Sequence, residues 1–349
     1  MIAEECFTEK WLQDIRRRYP LASPQILEKT LYAFEFLGLL ARSGQPFVFK
    51  GGTALILILP ELKRLSIDVD IVGNISLDVF GKVIQGSRFT NMEEDIRKGE
   101  VPAMHVKFFY NSLLKPSVNY VLVDMLKDNH PYTNLQKAIL ERSEIFMVRE
   151  KLSVSIPSPD DILGDKLTAF APNSTGVLYG SDKSLEIIKQ LYDVGELVRQ
   201  ASSVDTILST FERVCGQQNK YRKTTFTTDE VIEDVIATSR LICHIDFKGH
   251  AETTNTAELR AGMKSIQSFL VAARFSLPEA KLAASRAAFV ATLLKKRLTG
   301  EKLNRYQFKS EKIEQFRNEQ LTGDLVDLNK LKRTNPEAFY YWWLISKLG

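Results

Sequence analysis

The chain has 349 residues, 44% hydrophobic and 26% charged, with 47 Lys and Arg against 43 Asp and Glu. That is long for a single core, so two domains are expected, and a formal charge of +4 permits an anionic partner without demanding one. Three scattered cysteines, Cys6, Cys215 and Cys243, argue against a disulfide framework and fit a reducing cytoplasm. No apolar run approaches a membrane span, and the mixed-charge start MIAEECFTEKWLQDIRRRYP does not read as a secretion signal.

In chain order, residues 24–42 read as a helix, with Ser23 as N-cap, Pro24 at the first helical position and Gly44 just past the end. PFVFKG is a short buried strand, TALILILPELKR a helix stopped or kinked near Pro60, and SIDVDIVG the next strand. Residues 76–100 read as a polar helical stretch. AMHVKFFY and NYVLVDMLKD look like two strands around a turn region, and REKLSVSIP like another. Ser158 and Asp161 suggest a capping box opening the helix DDILGDKLTAFA. A polar loop containing Tyr179 separates it from a helix in KSLEIIKQLYDVGELVRQ. Beyond about residue 200 strand patterns vanish, and Ser276 to Glu279 opens a further capped helix. The chain ends in AFYYWWLISKLG, read as a final helix docking its aromatics into a core. These patterns give a mixed sheet with helices followed by a helical remainder. The boundary falls between 150 and 205, and the division adopted is 1–200 and 201–349. The sheet half is expected to hold the chemistry and the helical half to shape the cleft.

The chemistry is concentrated in FVFKGGTALILILPELKRLSIDVDIVG. On a strand, Ser66, Asp68 and Asp70 would share one face, with successive carboxylates roughly 7 Å apart. Such repulsion among apolar neighbours is tolerated when cations sit between the acids. Two metal ions about 4 Å apart would bridge carboxylates, a triphosphate and an attacking hydroxyl. Magnesium suits this, because phosphates and waters complete its octahedron. Gly51, Gly52 and Thr53 fall at a strand-to-helix turn. Glycine permits close backbone approach to a phosphate, the helix N-terminus offers free amides, and the threonine hydroxyl offers one more donor. Cradle and metal ligands would then lie on adjacent strands at the same sheet edge. Asp124, between Val123 and Met125 in an apolar strand, is the expected third carboxylate.

These residues resemble the AbiEii/AbiGii-type nucleotidyltransferase toxins of abortive-infection and toxin–antitoxin systems. The likeness rests on KGGTAL, RLSIDVDI, VLVDM, PSPDDILGDKLTAFAP and EIIKQLYDVGEL, in that order, over residues 47–197. It implies an α/β (α+β) polymerase-β-type nucleotidyltransferase core with a mixed sheet, followed by a mostly helical C-terminal domain. Gly52 and Thr53 match the family's glycine-plus-hydroxyl motif, Asp68 and Asp70 its metal pair, and Arg64 and Ser66 the same segment. Lys166 matches a lysine reaching toward nucleotide phosphates, and Asp193 an acidic position of the last motif. Lys189 shares a helix face with Asp193 at i,i+4, either as a surface ion pair or lining the cleft. The implied activity is transfer of a nucleotidyl group from a nucleoside triphosphate to a hydroxyl on RNA, such as a transfer RNA 3′ end, with a cognate antitoxin as partner.

Three alternatives remain open at the level of sequence. The same cradle could move a γ-phosphoryl group to RNA or protein. Asp-x-Asp also holds metal in glycosyltransferases, although the upstream Gly-Gly-Thr is superfluous there. A non-enzymatic binding module would leave the three acids unexplained. The basic clusters at residues 16–18, 220–223, 295–297 and 330–333 read as solvated helix faces. His105, His130, His244 and His250 form no triad or metal spacing, and no Walker loop, nucleophile elbow or dinucleotide fingerprint is present.

Overall fold

The computed structural model describes residues 1–97, 101–301, 316 and 318–348. It divides into two compact units: Met1–Ser158 with Gln267–Arg274, and Pro159–Ile266 with Phe275–Gly349. The compact units therefore part at Ser158, and the helices after it pack with the helical remainder. The division expected near residue 200 grouped them with the sheet.

The first unit opens with helices α1 (Glu9–Arg18) and α2 (Pro24–Arg42). Gly44 adopts φ +72° just past α2, where a side chain would be strained. Then come β1 (Phe47–Lys50), α3 (Gly51–Ile58), β2 (Val69–Gly73), α4 (Leu77–Ile84), β3 (Phe89–Glu94), β4 (Ala103–Asn111), β5 (Val118–Leu126), β6 (Leu135–Ile139) and β7 (Ser153–Pro157). The strands form one mixed seven-stranded sheet in the order β3-β4-β5-β2-β1-β7-β6. β2 runs parallel to β5 and β1 parallel to β7, while β1 and β2 are antiparallel.

Two expectations need correction. Residues 76–100 are not one helix. Ser76 caps α4 by accepting from the Val79 N–H, the helix stops at Ile84, and Gly86 turns the chain at φ +70° into β3. β3 is an edge strand whose outward side chains are polar, so its composition resembles a polar helix face; pairing with β4 decides the matter. Residues 98–100 of that stretch lie outside the described residues. The second correction is β6, a polar edge strand that no sequence pattern announced.

The core of this unit lies between the sheet and α2. Phe36, Phe80, Phe89 and Phe108 meet as edge-on and tilted rings, and Tyr32 stacks on Tyr110 at 3.6 Å. The apolar positions of β4 and β5 that alternate toward this cluster, including Val106, Phe108, Val121, Val123 and Met125, are fully buried.

The second unit is helical: α5 (Pro159–Ala169), α6 (Ser184–Leu197), α7 (Val204–Arg222), α8 (Thr228–His244), α9 (Thr254–Ser265), α10 (Leu277–Leu298), a short α11 (Leu331–Thr334) and α12 (Pro336–Leu348). Ser276 and Glu279 form the expected capping box on α10. α12 buries Tyr340, Tyr341 and Trp342, as its aromatic run predicts. Glycine sets the spacing between helices. A Cβ on Gly164 of α5 would lie 2.6 Å from the Ile207 carbonyl oxygen of α7, so only glycine permits that approach.

Candidate active site

The candidate site in the first unit is built on register. Lys50 of β1 pairs with Asp70 of β2, Asp70 with Asp124 of β5, and Asp124 with His105 of β4. Paired residues on neighbouring strands point to the same face and lie about 4.8 Å apart across the sheet. One row of polar side chains therefore crosses four strands, flanked by the buried Val69, Ile71, Val123 and Met125. Asp70 and Asp124 are on interior strands, not at a sheet edge as expected. Asp70 and Asp124 are each half-buried, the exposure a ligand-binding carboxylate requires.

Asp70 lies directly over the glycine turn. Gly51 adopts φ +77°, and a Cβ there would fall 2.1 Å from Asp70 Oδ2. Gly51 thus serves twice: it takes a backbone conformation that other residues rarely adopt, and it leaves room for the carboxylate. Beside it, a Cβ on Gly52 would lie 2.6 Å from Arg64 Nη2 and 3.0 Å from Ser66 Oγ. The N-terminus of α3, with its free amides, opens from these glycines.

Asp68 precedes β2, so strand alternation does not place it as the spacing suggested. Its position is fixed by tertiary contacts. The Thr53 hydroxyl donates to the Asp68 carbonyl oxygen at 2.5 Å, and the Thr30 hydroxyl to the Ser66 carbonyl oxygen at 2.8 Å. Thr53 is fully buried. A hydroxyl has one proton, and here it is spent on the backbone, so the expected donation to a phosphate gives way to a bracing role for the Asp68 segment. Arg64 is also buried, with Nη1 donating to the Leu65 carbonyl oxygen. The segment between α3 and β2 is held from outside by Gln267–Arg274. The Leu65 N–H donates to the Phe269 carbonyl oxygen, and the Val271 N–H to that of Lys63.

Sequence reasoning missed His105. Its Nδ1 lies 2.6 Å from Asp124 Oδ1, a hydrogen bond in which the ring nitrogen carries the proton and the carboxylate accepts. A histidine so placed orients Asp124. The signal was available: counting outward from the turn at residues 112–117 sets His105 opposite Asp124.

The remaining expected residues lie in the second unit. Lys166 Nζ is 2.9 Å from Asp193 Oδ2, with side chains only 11% and 2% exposed. Lys189 is likewise mostly buried and pairs with Glu186, one turn before it, at 3.0 Å. Asp193 is thus a buried partner of Lys166 and not part of a surface pair. Tyr179 is half-buried, and burial pushes its phenol up from its usual range. The basic cluster at residues 295–297 is neutralised by Glu233, Glu301 and Asp205, as expected of a solvated helix face. The three cysteines are free and buried.

The sequence matches the family model described as "Nucleotidyl transferase AbiEii toxin, Type IV TA system" over residues 38–253, more than half of the chain. The chain belongs to the AbiEii family. It is accordingly a nucleotidyltransferase of toxin type, using a nucleoside triphosphate and a divalent metal and paired with an antitoxin. Among solved structures, it is similar to the MenT4 nucleotidyltransferase toxin of Mycobacterium tuberculosis, at TM-score 0.53 and 11% identity, covering 94% of this chain and 98% of that one. It is also similar to JHP933 from Helicobacter pylori, at TM-score 0.41 and 13% identity, covering 86% and 96%. None of the curated proteins matches its sequence. The MenT4 likeness supports the nucleotidyltransferase fold. Among the described residues no helix is long and apolar enough to cross a membrane.

The residues present suit a divalent metal. Half-buried carboxylates on adjacent strands, one oriented by histidine and one seated over glycine, offer hard oxygen ligands.

Proposed function

We propose that this AbiEii-family enzyme transfers a nucleotidyl group from a nucleoside triphosphate to a hydroxyl of RNA, such as a transfer RNA 3′ end, with two magnesium ions. The observation that carries the reading is the register of Asp70 against Asp124, with Asp70 over Gly51. Asp68, Asp70 and Asp124 would hold the ions. When bound, magnesium neutralises the triphosphate and makes the attacking hydroxyl more acidic. Gly51 and Gly52 let the backbone at the start of α3 reach the phosphates, and its amides receive their charge. His105 keeps Asp124 aimed. Arg64, Ser66 and Thr53 hold the turn and the Asp68 segment in shape. Catalysis on this reading is positioning plus charge neutralisation. Lys166, Lys189 and Asp193 enter the proposal through motif resemblance, as does the RNA acceptor. The cytoplasm is the compartment such an acceptor requires.

The test incubates the protein with α-labelled and, separately, γ-labelled triphosphates, magnesium and total RNA. Label from the α position on RNA, lost in Asp70→Asn, is the expected result. Label from the γ position alone would replace nucleotidyl transfer by phosphoryl transfer. α label on protein and none on RNA would sink the RNA acceptor.

A further inference from the structure

The second unit carries a constellation that nucleotidyl transfer does not use. His244 ends α8, and the next six residues turn the chain back so that His250 stacks on His244, with ring centroids 4.2 Å apart. The turn is closed by the Phe247 N–H donating to the His244 carbonyl oxygen and the His250 N–H donating to that of Phe247. Asp246 and Gly249 supply the left-handed positions it needs, at φ +66° and +93°. Asp327, from the 3-10 turn Gly323–Lys330, reaches the same place: its Oδ2 is 3.4 Å from His250 Nε2. One ligand atom from each of His244, His250 and Asp327 lies within 4.8 Å of the other two.

We infer that His244, His250 and Asp327 form a binding site for a divalent transition-metal ion of the zinc class, separate from the magnesium carboxylates. Two imidazoles and a carboxylate are a borderline donor set, suited to zinc, cobalt or nickel and poorly suited to magnesium. The simpler reading, a His250–Asp327 ion pair with His244 packed beside it, leaves one feature unexplained. His244 Nε2 is buried with no hydrogen-bond partner among the described residues. An orphaned imidazole nitrogen beside two further metal-ligand side chains is what an apo metal site presents. The ion would tie the turn Gly323–Lys330 to the end of α8, joining segments about 80 residues apart in sequence. Three protein ligands leave a fourth position for water.

The test uses the full chain carrying Asp70→Asn, so that the proposed catalytic carboxylates do not contribute. It is titrated with cobalt(II) and watched by visible absorption, then by zinc competition. One equivalent of cobalt should bind with the intense bands of a low-coordinate site and be displaced by zinc. Removing a ligand should cost more than the roughly 10–100-fold that loss of an outer-shell partner costs. His250→Ala, at an exposed position, and the near-isosteric Asp327→Asn should each weaken binding by at least that much. His130→Ala should change nothing. Zinc should also raise the Tm of the parent and not that of His250→Ala. Absence of saturable cobalt binding, or equal binding in parent, His250→Ala and Asp327→Asn, overturns the inference. It does so without touching the proposed transfer reaction.

Discussion

The two units treat carboxylates in opposite ways. In the sheet unit, Asp70 and Asp124 stay half-exposed side by side in a polar row across adjacent strands, with His105 bonded to Asp124. In the helical unit, Asp193 is buried and closed by Lys166, and Asp234 is satisfied by the Asn173 amides and the Ser174 hydroxyl. A charge that is satisfied within its own fold contributes to structure. A half-exposed carboxylate beside another of its sign can also meet a ligand. The contrast can be broken or sharpened by substitution.

The largest effect is expected at the row. Asp70→Asn keeps size and fold but removes a charge proposed to hold metal, worth several kcal/mol in the transition state, so transfer should fall by roughly 10³-fold or more. Circular dichroism and Tm should stay unchanged; a collapse in Tm would mean that Asp70 is structural. Lys166→Met should instead lower stability, leaving the buried Asp193 without its lysine at a cost of about 3–5 kcal/mol. Denaturant melts would measure it, and adding Asp193→Leu should return much of the loss. Failure of that recovery would argue that the pair is not the source.

Gly51→Ala should lower kcat by about 100-fold, because its Cβ and Asp70 Oδ2 cannot share one place and small displacements are costly. Magnesium affinity of Gly51→Ala, read by calorimetry, should fall with it. His105→Phe should reduce activity by about 10- to 100-fold by freeing Asp124 to rotate, while His105→Gln, which can still donate to the carboxylate, should recover part of it. The smallest effect is one of pH. Burial raises the Glu35 carboxyl above its ordinary 4.5. Its raised folded-state value favours the folded protein below pH 4.5 and withdraws that contribution as pH rises through the folded value. Glu35→Gln should flatten stability against pH over that window, as denaturant midpoints would record.

Much of this was legible in the sequence because it is local. α2, β1, α3 and the β4–β5 pair follow from apolar periodicity and turn residues, and the α10 capping box from four residues. The glycine turn and Asp70 could be read as a unit for the same reason. Less local features escaped. β3 and β6 are edge strands without an apolar alternation strong enough to mark them. The role of Thr53 depended on where Asp68 lay, and Asp68 lay outside the strand that the spacing drew for it. Lys166 and Asp193 were each noticed, but their pairing joins two helices and leaves no periodicity to read.

The sequence by itself determined which residues could carry charge to a phosphate and which segments must be helix or strand, since these rest on side-chain chemistry and short-range backbone preference. Tertiary structure alone decided that Asp70 and Asp124 stand side by side, that Gln267–Arg274 braces the Asp68 segment, and that two histidines and an aspartate converge at the end of α8. The physical reason is that strand register and packing bring together groups tens to hundreds of residues apart, at an energy set by the burial of their apolar neighbours. No stretch of chain encodes that convergence on its own.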